Sequence, residues 1–199
     1  MTMPNRQQAY ELLVEFNKSE SLIKHALAVE AVMRYMARKL GEDEEVWGAI
    51  GLVHDLDYDQ YPEKHCQMTE KILRDRDWPE DAIHAVLSHG WKLCTDVEPT
   101  SPMENVLYAI DELTGLVTAA VLVRPSKNIA DLTVKSLKKK WRDKAFAAGA
   151  DRDVIREGAE RIGMELPDLF ADVIAGMQTA APDLGLDGSL APPPSEPAS

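Results

Sequence analysis

The sequence predicts an all-α fold, and two observations support this prediction. Apolar residues recur at intervals of three and four along almost every segment, which is the period of a helix with one buried face. Clean alternation of apolar and polar residues, the pattern of a half-buried strand, is almost absent. With 199 residues, of which 45% are hydrophobic, the chain can bury one sizeable core. We therefore expect a single helical domain.

The first predicted helix is short and covers about residues 6–17. Ser19 and Ser21 then offer caps for a long second helix, which ends at Gly41. Asp43 begins a third helix with its own apolar face.

Prolines and a capping box mark the next three helices. Pro62 and Pro79 each suit the first turn of a helix, and Gly90 ends the second of these helices. Ser101 and Glu104 form a capping box before the apolar run NVLYAIDELTGLVTAAVLV. No run reaches the roughly 18 unbroken apolar residues that a membrane span needs. We therefore expect a soluble chain.

The second half of the chain is expected to cover the first. Three further amphipathic helices are predicted, over about residues 131–147, 152–162 and 167–178. Residues 181–199 are rich in proline, serine and glycine, which predicts a disordered tail. The domain would thus span residues 1–180, with its core over about 20–125 and a helical cover over about 126–180.

Charge and cysteine content limit the partners and the compartment that we expect. The formal net charge of −12 argues against a broad basic footprint for nucleic acid or an anionic membrane. We therefore expect neither a nucleic-acid polymer nor a membrane as a partner. There are two cysteines, Cys66 and Cys94, and the N-terminal residues lack the pattern of a signal peptide. Together these features predict a cytoplasmic protein.

Four helical segments carry ionisable residues on or beside the apolar faces that must converge. These residues are His25, the doublet His54 and Asp55, His65, and Asp111. Burying an unpaired imidazole or carboxylate costs several kcal/mol, so each residue needs a partner or a metal. One histidine on an apolar face is more often a hydrogen-bonded core residue than a ligand. Several on converging helices predict a shared site.

The helix over about residues 79–90 offers two histidines, and its geometry does not choose between them. His84 and His89 are five residues apart, which corresponds to about 140° around the helix axis. They cannot easily serve one site. His89 lies beside Ala82 on one flank of the apolar side, and His84 lies beyond Leu87 on the other.

The order of these residues resembles a known family. A histidine on one helix, a His-Asp doublet that ends the next helical stretch, and a later aspartate in an apolar helix are similar to the HD-domain superfamily of metal-dependent phosphohydrolases. Here these residues are His25, His54 with Asp55, and Asp111. The resemblance covers about residues 20–125.

Two further segments extend the resemblance to members that hold two metal ions. The segments EKHCQMTEKIL and AVLSHGWK are similar to the additional histidine segments of those members. The resemblance therefore adds His65 and His89 to the set and leaves His84 out.

The resemblance implies a binuclear metal centre. In this centre one ion would be held by His25, His54 and Asp111, the other by His65 and His89, and Asp55 would bridge the two as the catalytic carboxylate. Imidazole and carboxylate ligands suit Fe, Mn, Co, Ni or Zn better than Mg alone, so one or two such divalent ions are the expected cofactors. The implied enzyme is a metal-dependent hydrolase. It would cleave a phosphate ester or anhydride of a nucleotide or related small metabolite with metal-activated water.

Three alternatives remain open from the sequence. A mononuclear site would use only His25, His54, Asp55 and Asp111. It would leave His65 and His89 as groups that support the ligands or face the substrate. Some relatives with the same six-ligand pattern are mixed-valent di-iron oxygenases, which need the same ligand cage. A third possibility is a small-molecule sensor without turnover, although the complete ligand set counts against it.

Other polar residues near the doublet receive simpler interpretations. Asp57 and Asp59 are predicted to cap or solvate the loop after the doublet. Many members of the family place a lysine there, whereas HDLDYDQY contains none. Lys64, on the next helix, is the candidate to take its place.

The basic run KSLKKKWRDK is more typical of a solvated helix face than of a phosphate-binding site, because its lysines flank Leu137 and Trp141 at helical spacing. A second possibility is that Arg124 or Lys127 receives a substrate phosphate.

Overall fold

The computed structural model describes residues 3–192 and confirms the all-α prediction. These residues form ten α-helices and two short 3₁₀ helices, and no strand occurs among them. The α-helices are α1 (Arg6–Phe16), α2 (Glu20–Leu40), α3 (Glu44–Val53), α4 (Gln67–Asp75), α5 (Glu80–Ser88), α6 (Pro102–Leu122), α7 (Val134–Arg142), α8 (Arg152–Arg161), α9 (Leu166–Gln178) and α10 (Ala181–Leu184).

Local capping explains where the site-bearing helices begin and end. Asp43 precedes α3, and its carboxylate accepts hydrogen bonds from two backbone N–H groups of the first turn. Ser101 and Glu104 form the predicted capping box at the start of α6. Gly41 ends α2 in the left-handed conformation, with φ of 76°, which glycine adopts without steric penalty.

Helix α6 runs through the middle of the molecule, and α2 lies beside it. Helix α2 packs against α3, α6 and α9, while the outer side of α6 is covered by α8. One cluster of buried apolar side chains extends from Ala9 in α1 to Leu186 after α10. Ionisable residues that point inward from α2, α3 or α6 therefore face a largely apolar interior. Each of them needs a hydrogen-bond partner or a counter-charge there, because an unpaired polar group is unfavourable when buried.

Helix α6 is also long and apolar enough to cross a membrane, judged by length and composition alone. In its most apolar window 61% of the helix is buried against the rest of the chain. A core helix of a soluble protein passes the same test, so this property is weak evidence for a membrane span.

The C-terminal part differs from the prediction at two points. The helix expected over about residues 131–147 ends at Arg142, because Asp143 takes an extended conformation and turns follow it. The disordered tail expected from residue 181 is wrong for residues 181–192, since Ala181–Leu184 form α10 and Leu186 is buried. Proline and glycine content misled the prediction because two leucines among those residues reach the core. The rest of the expected tail, 193–199, lies outside the described residues.

Glycine allows α6 and α8 to approach closely. Any Cβ atom on Gly158 would collide with the backbone of Ala109 in α6. We therefore predict that Gly158→Ala lowers the free energy of unfolding by about 1–3 kcal/mol through overpacking, measured by urea denaturation. Gly115→Ala is the matched control within α6, because a Cβ atom there meets nothing within 4 Å. It should raise stability by about 0.5–1 kcal/mol. Equal effects of the two substitutions would contradict the close approach.

Candidate metal centre

The six predicted site residues lie together at one end of the helical bundle. Five parts of the chain supply them: α2 carries His25, the end of α3 carries His54 and Asp55, His65 lies two residues before α4, the end of α5 carries His89, and α6 carries Asp111. Their side chains are buried or partly buried. The structure thus brings together residues that are up to 86 positions apart in the chain.

The first cluster contains two imidazoles and two carboxylates. Asp111 Oδ1 lies 3.0 Å from His25 Nε2 and 3.3 Å from His54 Nε2, and the two Nε2 atoms are 3.2 Å apart. Asp55 Oδ2 lies 3.6 Å from His25 Nε2 and 3.5 Å from His54 Nε2. Ligand atoms that share an ion at about 2.1 Å are about 3.0 to 3.4 Å apart in octahedral or tetrahedral geometry. The four atoms fit around one ion.

The second cluster uses the other oxygen of the same aspartate. Asp55 Oδ1 lies 3.4 Å from His65 Nε2 and 3.2 Å from His89 Nε2. The two imidazole nitrogens are 3.2 Å apart. This arrangement places one carboxylate between two groups of imidazoles, with one oxygen toward each.

Asp55 Oδ1 supplies an independent sign that the cluster suits a cation. This oxygen is buried and accepts no hydrogen bond from the described residues. A buried carboxylate oxygen without a donor is unfavourable by several kcal/mol, unless a proton or a positive charge compensates it. The neighbouring donor atoms are imidazole nitrogens, which bind late divalent metals well. The residues present therefore fit a bound metal ion.

The histidines at the ends of α3 and α5 are oriented in the same way. His54 Nδ1 lies 2.8 Å from the carbonyl oxygen of Gly51, and His89 Nδ1 lies 2.5 Å from that of Val86. Each imidazole thus donates to a carbonyl three residues back, in the last turn of its own helix. The donated Nδ1 proton leaves Nε2 as the atom with a free lone pair, and Nε2 points into the site.

Asp57 is the correction to the prediction for the loop after the doublet. It is fully buried, and its carboxylate accepts from the backbone N–H of Thr69 at 2.9 Å and from His65 Nδ1 at 2.8 Å. It therefore orients His65 rather than capping an exposed loop. Asp59 does not cap this loop either, since its carboxylate accepts from the backbone N–H groups of Lys18 and Ser19, just before α2.

The carboxylates make this site favourable for positive charge. Burial opposes protonation of His25 and His89, yet Asp111 raises the pKa of His25 to about 8 and Asp55 raises that of His89 to about 10. Burial alone would raise the pKa of Asp55, but His54 and His89 lower it below its usual range. In chemical terms the cluster is a cage that attracts a cation.

The structure separates the two histidines of α5. His89 is 4% exposed and its Nε2 atom lies in the cluster, as the resemblance implied. His84 has a side chain that is 43% exposed, and its Nδ1 atom lies 2.9 Å from Glu104 Oε1 at the start of α6. His84 therefore does not join the site.

Two groups near the centre were missed by sequence reasoning. Glu112 follows Asp111 and lines the cavity, and burial together with the Asp111 charge raises its pKa to about 7. The sulfur atoms of Cys66 and Cys94 lie 2.6 Å apart, and Cys66 Sγ is within 4.8 Å of donor nitrogens of His65 and His89. Adjacency to a predicted ligand was the available signal in both cases.

An open cavity of about 630 Å³ leads to the cluster. Apolar side chains such as Tyr58 and Leu93 form part of its wall, and the described lining contains no lysine or arginine. Lys64 is exposed and does not line the cavity. Arg124 lies two residues beyond the end of α6, and that end is eleven residues, or about 16 Å along the helix, from Asp111. Its guanidinium donates to the carbonyl of Asp131, so the structure does not support it as a phosphate ligand in this cavity.

The fold and the site together define a helical domain with a buried His/Asp centre that suits divalent metal ions. Residues 22–116, just under half of the chain, match the family described as HD domain. HD domains bind divalent metals, and most members of the family are metal-dependent hydrolases. The identity of the metal and the number of ions stay predictions.

The chain is also similar to Ribonuclease Y from Oleidesulfovibrio alaskensis (strain ATCC BAA-1058 / DSM 17464 / G20). The two sequences are 27% identical over 143 residues, which cover 68% of this chain and 27% of the relative. The chain thus spans about a quarter of the length of that relative. No solved structure shows a significant match.

The two histidines of α5 provide a test of the ligand assignment. We predict that His89→Ala lowers the metal content by about one ion per chain, since it removes one of the three donors around the second position. His84→Ala should retain the full content because its side chain lies outside the cluster. Elemental analysis of the purified proteins measures both. Equal metal loss in the two variants would mean that the assignment of His89 is wrong.

Proposed function

We propose that this chain is a metal-dependent hydrolase of a phosphate ester or anhydride, with a nucleotide or related small phosphorylated metabolite as substrate. The HD domain over residues 22–116 supports the hydrolase class. The cavity of about 630 Å³ has the size of a small-molecule site. The ligand set supports the use of Fe, Mn, Co, Ni or Zn.

One observation carries the proposal: the carboxylate of Asp55 lies between two imidazole pairs. Its Oδ2 atom faces His25 and His54, and its Oδ1 atom faces His65 and His89. A mononuclear site would leave the second pair, and the buried Oδ1 atom, without a function. The arrangement supports the binuclear alternative over the mononuclear one.

The residues have distinct roles in this proposal. Bound divalent ions would supply an activated water nucleophile and would neutralise the charge of a phosphate. The chain itself holds the donor atoms in place through Asp57 and through the carbonyl groups of Gly51 and Val86. Glu112 accepts a hydrogen bond from the backbone N–H of Asp151 and so fixes the loop that forms one wall of the cavity.

The cavity wall supports a substrate whose phosphate is recognised at the metal centre. No lysine or arginine lies among the described lining residues, so no side chain of these two types can pair with a phosphate there. The apolar residues of the wall can contact the rest of the substrate, such as a base or a sugar. Binding and catalysis would then depend on the same residues.

A second candidate function is hydrolysis of RNA phosphodiester bonds. The similarity to Ribonuclease Y favours it, although this chain covers only 27% of that protein. An RNA phosphodiester contains the same bond type that the first proposal assigns to a small nucleotide. The two candidates therefore differ in substrate size and use the same centre.

We predict that the purified protein releases phosphate or a nucleotide product from members of a phosphoester panel under anaerobic conditions, after loading with Mn, Fe, Co, Ni or Zn. Asp55→Ala should reduce the rate at least about 100-fold, because it removes the carboxylate shared by both clusters. Asp75→Ala, which changes an exposed aspartate on α4, is the matched control and should keep the activity.

Other outcomes of this experiment would overturn the proposal in distinct ways. Substrate-dependent O₂ consumption by the iron-loaded protein, without anaerobic hydrolysis, would indicate the oxygenase. Absence of both reactions, together with thermal stabilisation by a phosphorylated ligand, would indicate a binding protein. An RNA oligonucleotide in the same panel separates the two hydrolase candidates.

A further inference from the structure

The net charge of −12 conceals a strongly basic segment. Residues 124–144 contain eight lysines and arginines and two aspartates, which gives a net charge of +6 and leaves −18 for the rest of the chain. Four of these residues lie on α7 and are exposed: Lys135, Lys138, Lys139 and Arg142. We call these four residues the α7 basic face.

The basic residues of this segment differ from those elsewhere in the protein. Outside residues 124–144, ten of the fourteen lysines and arginines form ion pairs with carboxylates. None of the eight within that segment forms an ion pair with any residue from 3 to 192. The positive charge on this surface is therefore not compensated within the described part of the chain.

The geometry of α7 concentrates this charge. At 3.6 residues per turn, the four residues fall within about 100° of one another around the helix axis. Lys135 and Lys139 are four residues apart, as are Lys138 and Arg142, and like charges at this spacing repel each other. The opposite side of α7 is fixed inward, since Leu137 is fully buried and Trp141 packs on Phe170. The four charged side chains therefore stay together on the solvent side of α7.

We propose that the α7 basic face binds a single-stranded polynucleotide through its phosphates. Phosphates at regular spacing would neutralise the four charges together, which an isolated small anion cannot do. No large apolar side chain is exposed on α7, so this helix offers nothing to insert into a lipid bilayer. No aromatic ring is exposed there for base stacking either, so binding is independent of sequence.

Helix α7 is close in the chain to one wall of the cavity. The segment that follows Arg142 leads to Ala147, Gly149 and Ala150, which line the cavity of the candidate metal centre. A strand held on α7 would therefore be bound five residues, along the chain, from the wall of that cavity. The acidic remainder of the protein repels a polyanion and limits its contact to this side.

This inference goes beyond the proposed reaction, because binding to α7 requires neither metal nor turnover. It also departs from the expectation, drawn from the net charge, that the chain has no nucleic-acid polymer as partner. Net charge averages over the whole surface, whereas a polyanion responds to the local field.

The experiment measures binding of fluorescein-labelled 20-nucleotide poly-U RNA by fluorescence anisotropy, with EDTA present to prevent turnover. We expect binding whose logarithmic affinity falls with the logarithm of salt concentration at a slope of about −3, from about 0.7 per phosphate contact at four contacts. The double variant Lys138→Glu/Lys139→Glu should weaken binding at least about tenfold and reduce the slope by about 1.4.

The double variant Lys64→Glu/Lys71→Glu is the matched control. It makes the same change in net charge at two exposed lysines that form no ion pair among the described residues, and it should bind RNA as the unchanged protein does. Equal loss in both variants, or no binding of RNA at 50 mM salt, would overturn the proposal. So would binding to phosphatidylserine vesicles, but not to RNA, that depends on Lys138 and Lys139. Circular dichroism confirms that each variant is folded.

Discussion

The carboxylate of Asp55 is the group on which the site depends. It is buried among four imidazoles, and the two oxygens face different histidine pairs. Such a carboxylate would be destabilising in an apolar interior unless positive charge surrounds it. The imidazoles that can carry this charge come from α2, from the ends of α3 and α5, and from the segment before α4. Helix α6 adds a second carboxylate, Asp111. Helices α2 and α3 approach each other closely at Gly51. This glycine lies against the backbone of Glu30, where a Cβ atom would come within 3.0 Å.

The histidines gain their precision from the ends of helices rather than from their middles. His54 and His89 each follow the last residue of a helix and donate to a carbonyl in the last turn of that helix. One hydrogen bond thus ties the imidazole to the helix end. His65 lacks such a carbonyl and uses the buried carboxylate of Asp57 in its place. Metal affinity in this protein should therefore be sensitive to helix ends that never touch the ion.

Much of this organisation could be predicted from the sequence, because caps and helical periodicity are local properties. The capping box of Ser101 belongs to this class of prediction, whereas the grouping of His25 with Asp111 came from the family resemblance. The role of Asp57 could not be predicted, since a buried aspartate and a loop-capping aspartate have the same sequence context. The choice between His84 and His89 needed the family resemblance, because the helix angle alone allowed either. The order of residues 181–192 was missed because two leucines outweighed the local composition through contacts far away in the chain. The α7 surface was masked by a charge count that has no spatial information.

The match to the HD domain family ends at residue 116, yet part of the cavity wall is built by Ala147, Gly149 and Ala150. The candidate ligands and this part of the wall are therefore encoded in separate stretches of the chain. Evolution can replace the second stretch and leave the first intact. The same set of histidines and aspartates can in this way act on unrelated molecules. Substrate selectivity then depends in part on residues that follow the matched region in the chain.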